Sequence, residues 1–108
     1  MSEKNIPKRE GEFFEMTVDM SETNDVRSMH IGSPTIQSSM RISDPYHLEL
    51  GYTQIMALAA IFLDKPKELL FVGLGGAAIQ KFFYKWYKKA NCLTIEINPS
   101  AINVAKQF

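Results

Sequence analysis

A chain of 108 residues, 45% of them apolar, can bury the core of one small domain and part of another. That excludes general disorder; only residues 1–11 read as a flexible N-terminus. Net charge is zero but uneven: residues 1–64 hold ten acids and five bases (−5), residues 65–108 two acids and seven bases (+5).

No apolar run reaches membrane-spanning length, and the N-terminus has no signal-peptide core, so no membrane is expected. The single cysteine, Cys92, excludes an intrachain disulfide and points to a reduced, cytoplasmic setting. His30 and His47 stand apart from any second ligand, so no metal is expected.

In chain order, residues 12–20 alternate, with Phe14, Met16, Val18 and Met20 on one side, as in a half-exposed antiparallel strand. Residues 21–25 read as a polar break. Residues 26–31 and 35–42 read as a hairpin closed by Gly32-Ser33-Pro34. In its second arm Ile36, Ser38, Met40 and Ile42 share a face, which puts Gln37 on the other. Residues 12–45 thus form a β-stranded N-terminal domain.

After the turn Ser43-Asp44-Pro45, residues 48–63 predict a helix apolar on nearly every side, of the kind buried between layers. Residues 69–72 are a short apolar run, expected as a central strand buried on both faces. Ile79, Phe82, Phe83 and Trp86 then recur at helical spacing and form a core-facing stripe. On the polar side of that helix Lys81, Lys85, Lys88 and Lys89 make a solvated face, and no nucleic acid is expected. Residues 92–97 alternate as a second strand that would bury Cys92. Asn98 and Pro99 start a last helix, with Ala101, Val104, Ala105 and Phe108 along one stripe.

The order β-β-β then α-β-α-β-α makes residues 46–108 part of a nucleoside-binding α/β domain. Two parallel strands cannot bury three helices, so the chain is expected to be the N-terminal part of a longer protein or to require a partner.

Gly73-Leu74-Gly75-Gly76-Ala77-Ala78 carries the chemistry. Between a strand and a helix, G-x-G-x-x-A supplies a sharp turn at Gly73 and close ligand approach at Gly75. Amides at the following helix start would point at the ligand. Glu96 follows about 20 residues on, at a carboxyl strand end, where two carboxylate oxygens can accept both ribose hydroxyls. The acidic first half would favour a cationic ligand.

Ile36-Gln37-Ser38-Ser39, Asp44-Pro45, Tyr52-Thr53-Gln54-Ile55-Met56, Phe71-Val72-Gly73-Leu74-Gly75-Gly76 and Glu96-Ile97-Asn98-Pro99 occur in the order seen in spermidine synthases. Over residues 12–108 the chain resembles the N-terminal portion of a polyamine aminopropyltransferase. The resemblance implies a small antiparallel β domain followed by the first part of a methyltransferase-like Rossmann domain. The implied reaction moves an aminopropyl group from decarboxylated S-adenosylmethionine to putrescine, giving spermidine and methylthioadenosine. Carried over, Gly73, Gly75 and Gly76 line the nucleoside and Glu96 holds its ribose. Gln37 reaches toward the cofactor tail, and Tyr52 and Gln54 face the polyamine channel. The resemblance also implies that the N-terminal β domain can serve homo-oligomer contacts.

Many family members carry an Asp directly after the glycine run, where this chain has Ala77 and Ala78. The family's catalytic Asp lies in sequence that this chain does not contain. An attacking amine, with a pKa of about 10, must shed a proton to a carboxylate. Of the two acids in residues 65–108, Glu96 is assigned to the ribose and Glu68 sits at the wrong strand end. The chain alone is therefore expected to be inactive and to hold no catalytic residue. Alternatives are a fragment of an S-adenosylmethionine-dependent methyltransferase, an NAD-binding oxidoreductase, or a non-catalytic dimerisation module.

Overall fold

The computed structural model describes residues 16–107. The expected flexible residues 1–11, the start of the expected first strand and Phe108 lie outside them. β1 (Val18–Thr23), β2 (Val26–Ile31) and β3 (Ile36–Arg41) form an antiparallel sheet in that order. β1 and β2 join through Asn24 and Asp25, both left-handed (φ 51° and 67°). Two such residues give a turn whose twist matches that of the paired strands. Ser21, Glu22 and Thr23, expected as a break, are therefore strand, opposite Ser28, Arg27 and Val26. Their side chains are exposed, so their polarity does not oppose pairing.

The β2–β3 register slips between Met29 and His30. Across this irregularity the simple two-face alternation fails, and Ser38 and Ser39 are both buried. Ser39 Oγ lies 2.9 Å from Ser28 Oγ, so the buried hydroxyls satisfy each other. Met29 is the largest fully buried side chain among the described residues.

The second part comprises α1 (Gly51–Ala57) continued by a 3₁₀-helix (Leu58–Phe62), then β4 (Glu68–Val72), α2 (Ala78–Trp86), β5 (Asn91–Ile95) and α3 (Pro99–Gln107). β4 and β5 pair in parallel, Glu68 opposite Asn91 and Val72 opposite Ile95. α3 starts as its sequence dictates, with the Ser100 N–H donating to Asn98 Oδ1 at 3.1 Å and Pro99 at the first helical position. Tyr87 Oη, just after α2, donates to the carbonyls of Ala60 and Leu63 and ties the 3₁₀-helix down.

Packing departs from the sequence reading in several places, all with one cause. β4 is covered on one face only: Phe71 meets Phe83 of α2 at 5.8 Å between ring centroids, while Val72 is 83% exposed. The helix expected over residues 48–63 is shorter, tightens to 3₁₀ at Leu58, and does not lie between layers. Ile55, Leu58, Ile61 and Phe62 (87%) face outward. Cys92 is exposed rather than buried, and Trp86 at the end of the α2 stripe is exposed as well. A sheet of two strands is too narrow to cover helices on both sides. No helix of the described residues is long and apolar enough to cross a membrane.

The two sheets meet closely. Asn98 Nδ2 donates to the Met16 carbonyl at 3.1 Å, and Ala101 of α3 is fully buried. Gly76, after β4, lies against β3: a Cβ there would sit 2.7 Å from Ser38 Oγ and 3.1 Å from Ser38 Cβ. Gly76→Ala is therefore expected to cost about 1–2 kcal/mol by overpacking, read as a lowered urea midpoint. Adding Ser38→Ala, which removes the nearer atom, should recover part of the loss. Purely additive effects would contradict this contact.

Candidate nucleoside site

The chain leaves β4 with the Gly73 N–H donating to the Ile95 carbonyl at 2.7 Å, so the parallel pairing extends into the loop. Gly73 (φ 92°) and Gly75 (φ 52°) then adopt left-handed conformations that disfavour a side chain. A Cβ on Gly73 would meet nothing within 4 Å. Its glycine is needed for the bend and leaves open space beside the main chain. Ala77 is also left-handed (φ 63°), at the residue before α2. An alanine there stores strain of about 1–2 kcal/mol, which the sequence pattern did not reveal.

Glu96 follows β5 and grips this loop. Its Oε1 accepts the Leu74 N–H and its Oε2 the Asn98 N–H, each at 3.0 Å. Burial pushes the carboxyl pKa up, but backbone N–H groups of Asn98, Leu74, Gly75 and Ile97 outweigh it and hold the group below its ordinary 4.5. The carboxylate is thus ionised and fixed by the backbone.

Around this loop opens a cavity of about 440 Å³, within the range of small-molecule sites. Gln37, Tyr52, Gly73, Gly75 and Glu96 all line it. Tyr52 Oη donates to the Gln37 carbonyl at 3.0 Å and joins α1 to β3 at the rim. Gln80, which the sequence reading passed over, also lines it; its Nε2 donates to the Gly73 carbonyl at 2.9 Å. Its position one turn into the helix after the glycine loop was the available signal.

Gly76 and Gln54 are not among the lining residues. Gly76 serves the contact with Ser38. Gln54 lies on the other side of α1, its Nε2 on the Leu48 carbonyl at 2.9 Å, in a separate depression with Tyr46, Phe82 and Trp86. Tyr52 and Gln54 are two apart, and two residues on a helix point in widely different directions. Among the described residues Glu96 is the only carboxylate lining the cavity, and no group of His, Cys, Asp or Glu is arranged to hold a metal.

No family model matches the chain. It is 41% identical over 91 residues to the polyamine aminopropyltransferase of Chromobacterium violaceum, a match spanning 84% of this chain and 35% of that protein. The polyamine aminopropyltransferase of Neisseria meningitidis serogroup A is 33% identical over 92 residues, with the same shares. The chain belongs with the polyamine aminopropyltransferases, as a homologue of their N-terminal portion. It spans about a third of the length of these relatives. A probable spermidine synthase from Corynebacterium glutamicum shares the fold: TM-score 0.74 at 17% identity, covering 90% of this chain and 39% of that one. The small antiparallel sheet followed by α/β elements is thus the aminopropyltransferase arrangement in part.

In this aminopropyltransferase homologue Ala77→Gly should raise stability by about 1 kcal/mol by relieving the left-handed alanine, measured by urea unfolding. Glu96→Gln should lower stability at neutral pH. Because the folded pKa of Glu96 is depressed, its contribution is fully present above 4.5 and is lost as pH falls through the lower folded value. The gap between wild type and Glu96→Gln should therefore narrow as pH drops below 4.5. A gap that is constant with pH would contradict an ionised bracing role.

Proposed function

We propose that this chain forms the nucleoside-holding part of a spermidine synthase-like aminopropyltransferase, with decarboxylated S-adenosylmethionine as the ligand of the 440 Å³ cavity. The observation that carries this reading is the shared wall of that cavity. A glycine bend, an ionised Glu96, and Gln37 and Tyr52 from outside the glycine-loop unit all reach it. Glu96 presents its carboxylate oxygens to the ribose hydroxyls. The open main chain at Gly73 and Gly75 lies against the nucleoside. Gln37 and Tyr52 face the aminopropyl tail and the acceptor amine.

The homologous polyamine aminopropyltransferases support the reaction class. In that reaction the amine nitrogen forms a bond to the propyl carbon as the carbon–sulfur bond breaks and methylthioadenosine leaves. The sulfonium is already a good leaving group, so positioning dominates, and the amine must lose a proton. Glu96 is a poor acceptor for that proton: its oxygens hold two amides, and its pKa is depressed. Among the described residues the cavity therefore holds the nucleoside, and Glu96 is not the group that takes this proton.

Isothermal titration calorimetry tests this. Methylthioadenosine should bind, Glu96→Ala should weaken it at least tenfold, and S-adenosylhomocysteine should bind more weakly than methylthioadenosine. Tighter S-adenosylhomocysteine binding would instead favour a methyltransferase, and turnover by the chain alone would refute the assignment of the missing proton acceptor.

A further inference from the structure

β4 and β5 run parallel, so the segments that enter them meet at one end of the sheet, and the glycine loop and Glu96 lie at the other. α2 ends at Trp86, so Lys88 and Lys89, expected on the polar side of that helix, fall instead in the turn to β5. The Asn91 N–H donates to the Lys67 carbonyl at 2.8 Å and joins this turn to the segment before β4. Lys65, Lys67, Lys88 and Lys89 together line a depression of about 500 Å³, with Trp86 and Tyr87 in its wall and no carboxylate. Asp64 and Glu68 flank the lysines in sequence but do not line the depression. Among the described residues none of the four ammonium groups is in an ion pair.

We propose that this depression binds a nucleoside polyphosphate, with its base stacked on Trp86 and its phosphates among the four lysines. Like charges gathered around one hollow repel one another, and a multivalent anion relieves that repulsion. Lysine binds phosphate as a point charge, without needing the fixed fork of an arginine. The volume falls in the range of small-molecule sites. Trp86 is 65% exposed, with its ring set against Phe82 at 6.2 Å between centroids, so it offers a flat face to a base. Tyr87 does not: its hydroxyl is held by the carbonyls of Ala60 and Leu63, and its ring stacks on Phe83. One stacking face suits one base, whereas an extended single strand needs a track of them. Lys65 also holds a left-handed backbone (φ 52°) directly before Pro66, where proline steers the chain towards extended conformations. Strain of this kind clusters at ligand-binding segments. The site is separate from the aminopropyltransferase reading, since neither Trp86 nor any of the four lysines lines the Glu96 cavity.

Trp86 is the single tryptophan of the chain, so its fluorescence reports on this place directly. ATP titrated into the purified 108-residue chain should quench that fluorescence saturably. Adenosine and inorganic triphosphate, each alone, should bind at least tenfold more weakly than ATP. The double variant Lys67→Gln, Lys88→Gln replaces two exposed side chains. It should weaken ATP at least tenfold, with circular dichroism matching wild type. Lys85→Gln removes a cation from the neighbouring depression, where Lys85 sits over Tyr46, and should leave ATP affinity within about twofold. Absence of saturable quenching at millimolar ATP overturns the proposal, as does triphosphate or adenosine binding as tightly as ATP, or a double variant that binds like wild type. A single-stranded oligonucleotide that binds more tightly than ATP assigns the surface to nucleic acid and overturns it too. Saturating methylthioadenosine should leave ATP affinity unchanged. Displacement by methylthioadenosine would put the nucleotide in the Glu96 cavity, removing this site while keeping that one.

Discussion

One carboxylate organises the site. Glu96 accepts an amide from the glycine loop with one oxygen and an amide at the start of α3 with the other, both at 3.0 Å. The ends of two parallel strands, the bend that follows one and the helix that follows the other are held together by this side chain. Charge-assisted bonds to backbone N–H groups are among the stronger hydrogen bonds available to a protein. They explain how a two-stranded sheet keeps a defined loop at its carboxyl end. They also limit chemistry, because a carboxylate stabilised as an anion is a weak base. The same bonds that shape the site disqualify its acid from removing a proton.

A second constraint is the closeness of the two sheets. Gly76 approaches Ser38 with no room for a side chain, and Asn98 reaches the Met16 carbonyl while also capping α3. These contacts hold β3 beside the glycine loop, so Gln37 and Tyr52 face the same space as Glu96. The cavity is thus made at the junction, with walls from segments that are far apart in sequence. Within the first sheet the buried hydroxyls of Ser28 and Ser39 satisfy each other across β2 and β3 without adding bulk.

The apolar inventory is less well served. Four hydrophobic residues, Met29, Leu48, Phe83 and Ala101, are the buried apolar core of the described residues, while long apolar side chains on α1, the 3₁₀-helix, β4 and β5 meet water. Hydrophobic burial is the chief term favouring folding. Among the described residues these side chains leave much apolar surface uncovered.

Much of this was legible in the residues. Period-two alternation marked the early part of β1 and the face of β3, the Gly32-Ser33-Pro34 turn marked the hairpin of β2 and β3, helical spacing of Ile79, Phe82 and Phe83 marked α2, and Asn98-Pro99 marked the start of α3, because these signals are local to the backbone. The glycine bend and the acid after the next strand were legible for the same reason. The turn at Asn24 and Asp25 was blurred into a longer break, since polar residues on an exposed strand look like loop. The register slip opposite Ser38 and the strain at Ala77 left no local mark, whereas the reach of Gln80 and the divergence of Gln54 from Tyr52 were implicit in their helical positions. By itself the sequence determined the order of strands and helices and where the bend falls. Only the tertiary structure decided which faces are covered and which side chains share a cavity, because burial depends on distant neighbours and periodicity does not record whether they are present.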